Sequence, residues 1–201
     1  MPSQEQISTE LKHISLLRKT LIGKQALTLD FKGVDWSGKL SLADGMIESN
    51  DETLACLTYI FSQPIFSFSW QPLASPLASP LEPKFAFYRS LWGMEIDDHR
   101  QTIYQEAFSK LPPVHVKAGT LFRLNIEDMN QYKKLYHLGL DEKGVRISEY
   151  LDVADSSRAL YLRRLRIVLT CYCLGQLIPV NNQNRKMSMA AKILARLRRS
   201  S

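Results

Sequence analysis

The sequence predicts an α+β fold: a small N-terminal domain of helices and antiparallel sheet, followed by a mostly helical domain. Three observations predict it. Apolar residues recur at three-and-four spacing before Gly23 and then in short strand-like runs as far as Ile47. Asp44-Gly45 separates two of those runs, and glycine tolerates the positive φ that a tight hairpin demands. Beyond a proline-rich stretch the helical period returns and dominates to Leu174.

In chain order, Leu11, Ile14, Leu17 and Leu21 give an amphipathic helix over 9–22, with Gly23 placed to end it. Ala26, Leu27, Leu29 and Phe31 give a strand, Lys39 to Leu42 a second, and Met46-Ile47 the return after the turn. Asp51 is placed to cap a helix through Phe61, with Leu54, Leu57, Ile60 and Phe61 on one face. Ile65, Phe66, Phe68 and Trp70 form a last strand. The segment PLASPLASPLEP, 72–83, has a proline every fourth residue, which removes amide donors and holds the chain extended. It marks the expected domain boundary. Helices are expected over 85–111, 126–138, 146–151 and 156–174, and a final turn or short strand over 177–180. The domains are therefore 1–71, a linker 72–83, 84–180, and a tail 181–201.

No basic segment leads into an apolar run at the start, and no stretch reaches the roughly 18 apolar residues of a membrane span. Together these point to a soluble, cytoplasmic protein. Cys56, Cys171 and Cys173 make neither a disulfide framework nor a zinc set, and are expected to be buried thiols in a reducing compartment. Of the 26 Lys and Arg residues, six lie from Arg185 onward with no acid among them, leaving 20 bases against 20 acids before that point. The body is neutral and the tail basic, which argues against nucleic acid as the partner, since that affinity comes from concentrated positive surface.

Catalysis needs convergent acids, bases or nucleophiles. His13, His99, His115 and His137 are isolated, and within Asp97-Asp98-His99 neighbouring side chains on a helix diverge by about 100°. The expectation is no enzyme, no catalytic residues, no metal and no cofactor. Trp36 sits in the polar turn 32–39, where it either folds back on its own core or anchors a partner. Trp92, among Phe87, Tyr88 and Leu91, is expected in the core.

The run Gly33-Val-Asp-Trp36-Ser-Gly38-Lys-Leu40-Ser-Leu42-Ala-Asp-Gly45-Met-Ile47, followed by a helix and the strand IFSFSW, resembles the domain at the N-terminus of PatA-like proteins, the PATAN domain. Gly38, Leu40, Leu42, Gly45 and Ile47 match its G-x-L-x-L-x-x-G-x-I layout, and Phe66, Phe68 and Trp70 close it; the likeness covers roughly residues 5 to 71. Glu48-Ser-Asn-Asp-Glu52 departs from the small residue and acid-rich helix start that often follow in the family. The helical region, with 147–155 leading into 156–178, is similar to the winged-helix-like pair that accompanies such domains, its second helix packing through Leu160, Leu165, Val168 and Leu169.

The resemblance implies a protein-binding adaptor in bacterial signalling, of a kind often linked to type IV pilus-driven twitching motility or surface behaviour through contacts with the pilus extension motor. Trp36, Lys39, Asp44 and Met46, on and beside the hairpin, are the candidate partner contacts. Arg158, Arg163, Arg164 and Arg166 are expected on a solvated helix face, with Arg158, Arg163 and Arg166 as candidate contacts to phosphate or to an acidic partner. The alternative function is a DNA-binding regulator using the winged-helix-like region. In the tail, Met187, Ala190, Ala191, Leu194 and Leu197 lie opposite Lys192, Arg196 and Arg199, an amphipathic pattern suited to a membrane surface, a partner's groove, or no role at all.

Overall fold

A computed structural model describes residues 4–92, 94–119, 124–152 and 157–180, with side chains from Lys12 onward. The fold is α+β. Helix α1 (Gln4–Ile22) leads into β1 (Leu27–Lys32), β2 (Ser37–Ala43) and β3 (Met46–Glu48), then α2 (Asp51–Ser62) and β4 (Ser67–Pro72). A two-residue strand β5 (Pro80–Leu81) precedes α3 (Pro83–Leu91) and α4 (Asp98–Ser109). The chain continues through β6 (Val114–Val116), α5 (Ile126–Gly139), α6 (Ile147–Leu151), α7 (Arg158–Cys173) and β7 (Leu177–Pro179).

The main sheet is antiparallel throughout, in the order β4-β1-β2-β3-β5. Its turn at Asp44-Gly45 has both residues at positive φ, 52° and 76°, the geometry that follows the twist of a two-residue hairpin. Strand alternation puts Leu29, Phe31, Leu40, Leu42 and Ile47 on the inner face, all buried, and Thr28, Asp30, Lys39, Ser41, Ala43, Met46 and Glu48 on the outer. On the inner face α2 comes so close to β2 that a Cβ on Gly38 would stand 2.8 Å from Cys56 Sγ. The glycine of the G-x-L-x-L run is there for that approach.

Two expected boundaries shift. Asn50, not Asp51, caps α2: its Oδ1 accepts from Thr53 N at 2.7 Å, leaving Asp51 in the first turn where its charge meets the helix dipole. The single helix expected over 85–111 is two, because Asp97 caps a new start, its side chain accepting from Arg100 N at 2.7 Å. The expected break at 72–83 also does not separate two cores. Strand β5 pairs with β3, α3 packs on α2, and α1 packs on α4 and α7. Buried residues from Ile14 to Leu177 form one cluster.

Polar contacts hold the two parts together as well. Arg18 Nε donates to Tyr172 O at 3.0 Å across α1 and α7. Ser90 Oγ donates to Leu54 O at 3.1 Å across α3 and α2. Arg100, 1% exposed, donates to Ile60 O and Gln63 O at the end of α2. No helix among the described residues is long and apolar enough to cross a membrane.

Candidate partner-binding surface

Strands β4 and β5 occupy opposite edges of the sheet, so residues 73–79 between them must cross its outer face. Prolines set the conformation of this strap, and hydrogen bonds fix its two ends. Leu73 N donates to Ala26 O at 3.2 Å, and Ser49 N donates to Ser79 O at 2.8 Å. Glu48 accepts from Ala78 N through one carboxylate oxygen and from Ser79 N through the other, both at 2.8 Å. A carboxylate that takes two backbone donors is a charge-assisted clamp, stronger than a neutral pair of bonds. The Glu48 that departs from the family pattern in sequence is therefore the residue that fastens the strap.

The strap divides the outer face into two clefts. One, of about 610 Å³, is lined by Ala26, Ala43, Asp44, Met46 and the strap residues Leu73 to Leu77 with Pro80, mostly apolar with one carboxylate at its mouth. The other, of about 530 Å³, is lined by Thr28, Ser41, Glu48, Ser49, Asn50 and the other side of the strap.

Of the hairpin residues singled out in the sequence, Asp44 and Met46 meet in the larger cleft. Lys39 shares the outer face but lies toward the other end of the strands, 3.8 Å from Asp30 Oδ1, an exposed pair of small energetic weight. Trp36 does not join them. Its indole lies on Gly33, where a Cβ would fall 1.9 Å from Nε1, and stacks on Tyr59 of α2 at 5.2 Å between ring centroids. Of the two roles open to Trp36, the structure adopts the fold-back, packed against the core. Trp92 is half-buried, its Nε1 donating to Asp128 Oδ2 at 2.8 Å.

The arginines of α7 depart from the expected solvated face. Only Arg158 is well exposed, and it meets Asp98 at 3.0 Å. Arg163 pairs with Glu127 and, at 2.7 Å, with the buried Asp128. Arg164, 2% exposed, donates to Gln131 Oε1 and Tyr150 O. Arg166 donates to Met94 O at 2.5 Å; burial lowers its pKa, partly offset by Asp128. The physical reason is that α7 is the central helix, packed by α1, α3, α5 and α6, so its cations find partners inside. Arg163 and Arg166 are thus committed internally, and Arg158 alone of the three candidates has a partner, Asp98, that is itself at the surface.

Cys56, Cys171 and Cys173 are free and buried. Burial pushes the thiols of Cys56 and Cys171 up to about 12, Glu52 and Asp30 adding to the effect at Cys56, and raises Cys173 too. The tail candidates Lys192, Leu194, Arg196, Leu197 and Arg199 lie outside the described residues. Sequence reasoning missed Glu48 as a clamp and Asp128 and Arg100 as buried anchors; only the N-cap position of Asp97, three residues before Arg100, was a local signal for any of them.

Compared with protein-family models, curated proteins and solved structures, the chain matches none.

Proposed function

We propose that this chain is a non-enzymatic, cytoplasmic protein-interaction adaptor of the PATAN type, engaging a bacterial signalling or type IV pilus motor protein through the outer face of its sheet. The observation that carries it is the cleft between the Asp44-Gly45 hairpin and the strap. Met46, Ala43, Leu73 and Leu77 offer apolar contact there, and Asp44 offers a charge at the mouth. A shallow apolar surface with a polar rim suits protein recognition. The element order helix, three strands, helix, strand supports the PATAN likeness.

The rival DNA-binding role has one feature on its side: α5, a bridge from Val145 to Val114, α6, α7 and β7 follow one another as in a winged helix. Against it, α7 is enclosed by four helices and two of its three candidate phosphate contacts are committed to internal partners. Groove reading needs a helix that protrudes.

The test is affinity purification of tagged full-length protein from its own cells, with nuclease added, comparing wild type with Met46→Asp. Recovery of a pilus motor or signalling protein by wild type but not by the variant supports the adaptor. Equal recovery by both, or retention of nucleic acid alone when nuclease is omitted, sinks it.

A further inference from the structure

The clefts beside the strap belong to a stretch of one-sided charge. Residues 40–83 carry Asp44, Glu48, Asp51, Glu52 and Glu82, and not one Lys or Arg. Asp44 stands at the larger cleft and Glu48 at the smaller, and Asp51 and Glu52 follow Asn50, which lines the smaller one. Two cations come near: Lys24 lies beside Gly45 of the hairpin, and Lys39 pairs with Asp30. They reduce the acidic surplus without reversing it. The larger cleft itself is apolar, through Ala43, Met46, Leu73 and Leu77. A segment that complements both features carries apolar side chains among bases and has no acid to be repelled.

Residues 185–201 have that character. They hold six bases and no acid, with Ile193, Leu194 and Leu197 interleaved among Lys192, Arg196 and Arg198. The chain's other basic and apolar stretch, α7, is already packed among helices. The tail is also within reach. Val180, the last described residue before it, donates to Pro113 O at the end of the β6–β7 pair. Gly175, just before β7, lies against Ile22, while Leu21 and Lys24 on either side of Ile22 lie against Gly45 of the hairpin. At ~3.3 Å per strand residue the path from Val180 back to the hairpin is on the order of 30 Å. About nine residues of extended chain cover that distance, which leaves the tail from Ala190 onward to lie along the strap.

We propose that the tail of this chain docks on its own outer face, with Leu194 and its apolar neighbours in the Met46 cleft and the flanking bases toward Asp44 and the acids beyond it. A tethered segment meets its site at an effective concentration on the order of millimolar, so even a weak intrinsic affinity keeps it seated. The inference rests on the reading of that cleft as the partner site, and it adds a regulator: an incoming partner must displace the tail, and its apparent affinity falls by the fraction of molecules in which the tail is seated.

The test is made in the full-length protein at low micromolar concentration. Ala43→Cys, in the cleft, is combined with Leu194→Cys and oxidised mildly; the three native thiols are buried and do not compete. The expected product is a disulfide within one chain, and Asp44→Lys slows its formation by about fivefold, as the loss of an exposed ion pair does. The controls pair Leu194→Cys with Ile22→Cys, against Gly175, or with Val34→Cys, beyond the far end of β2, both at exposed positions. A seated tail closes on these at least about tenfold more slowly than on the cleft. Equal closure at all three positions marks a tail without a seat and overturns the proposal. A disulfide between two chains in place of one within the chain gives the cleft to a second copy and overturns it too, as does the absence of any disulfide. No partner enters these readouts, so the two readings fail separately. A disulfide within the chain beside equal capture by wild type and Met46→Asp leaves the docking standing and sinks the adaptor. Capture lost in Met46→Asp with no disulfide does the reverse.

Discussion

Arg100 donates from Nη2 to the carbonyl of Gln63 at 2.7 Å, and from the same nitrogen to Ile60 O at 3.0 Å. The last carbonyls of a helix have no partner within it and carry the negative end of its dipole. Here a cation from α4 answers them at the end of α2, while Tyr104 OH, one turn along, takes Phe61 O at 2.7 Å. The Arg100 guanidinium also lies 5.5 Å from the centroid of the Tyr104 ring. One helix of the second half thus caps a helix of the first.

Arg100→Met is expected to destabilise the whole fold by about 3 kcal/mol, because it removes charge-assisted bonds and strands buried carbonyls. Arg100→Lys keeps the charge but not the planar fork and recovers only part of the loss. Urea unfolding measures it, as a lower midpoint with the same slope. If the two parts were independent domains, unfolding would split into two transitions; one transition is expected.

Asp128, 2% exposed, joins Trp92, at the C-terminal cap of α3, to Arg163 on α7. Asp128→Ala leaves an indole N–H without its acceptor and a half-buried arginine without one of its carboxylates, at a cost of about 2 kcal/mol. Asp128→Asn keeps an acceptor for Trp92 and is expected to lose about half as much. Thermal melts rank the variants, and an emission change on Asp128→Ala that disappears when the same substitution is made in a Trp92→Phe background ties the spectral effect to this bond.

What was legible in the sequence is what local chemistry decides. Asp44-Gly45 turns where it must because few other residues accept two positive φ angles in succession. The six elements from α1 to β4 follow the order that their periodicities give. Periodicity puts residues in a strand but does not say whether the strand lies in the middle or at the margin of a sheet, so the expected last strand holding Phe66 and Trp70 turns out to be an edge, with both rings exposed and Phe66 just before its start. Proline spacing told how residues 72–83 are shaped, not that they lie across a sheet and end in a strand. Arg100 and Arg164 look like any helical arginine until carbonyls distant in sequence come within reach. Of the hairpin candidates, Asp44 and Met46 were brought together by the turn itself, whereas Trp36 went to the helix behind it.

Glu48→Gln is expected to loosen the strap selectively. An amide offers one accepting oxygen where the carboxylate offers two, so one of the Ala78 and Ser79 N–H groups loses its partner. These bonds are exposed, so global stability falls by only about 1 kcal/mol or less. Hydrogen exchange at Ala78 and Ser79 should accelerate by tenfold or so while amides in β1 and β2 hold their rates. Equal acceleration throughout the sheet would count against a local clamp.

The buried thiols make stability fall at high pH. In the unfolded chain a cysteine ionises near its ordinary value of 9.0, whereas in the fold burial keeps Cys56 and Cys171 neutral up to about 12. Below pH 9 both states hold the proton and the full stability is present. Above it the unfolded chain sheds protons first, so stability drops as pH climbs toward 12, by about 1.4 kcal/mol per pH unit for each such thiol. Tyr161, raised to about 12 by burial, adds to the fall above its ordinary value of 10.0. Unfolding midpoints taken between pH 8 and pH 10.5 should therefore decline, and Cys171→Ala should flatten the decline whatever it does to the midpoint at pH 8. A disulfide reagent at pH 8 should find no fast thiol in the native protein and three after denaturation; rapid labelling of Cys56 in the native state would contradict the burial that raises its pKa.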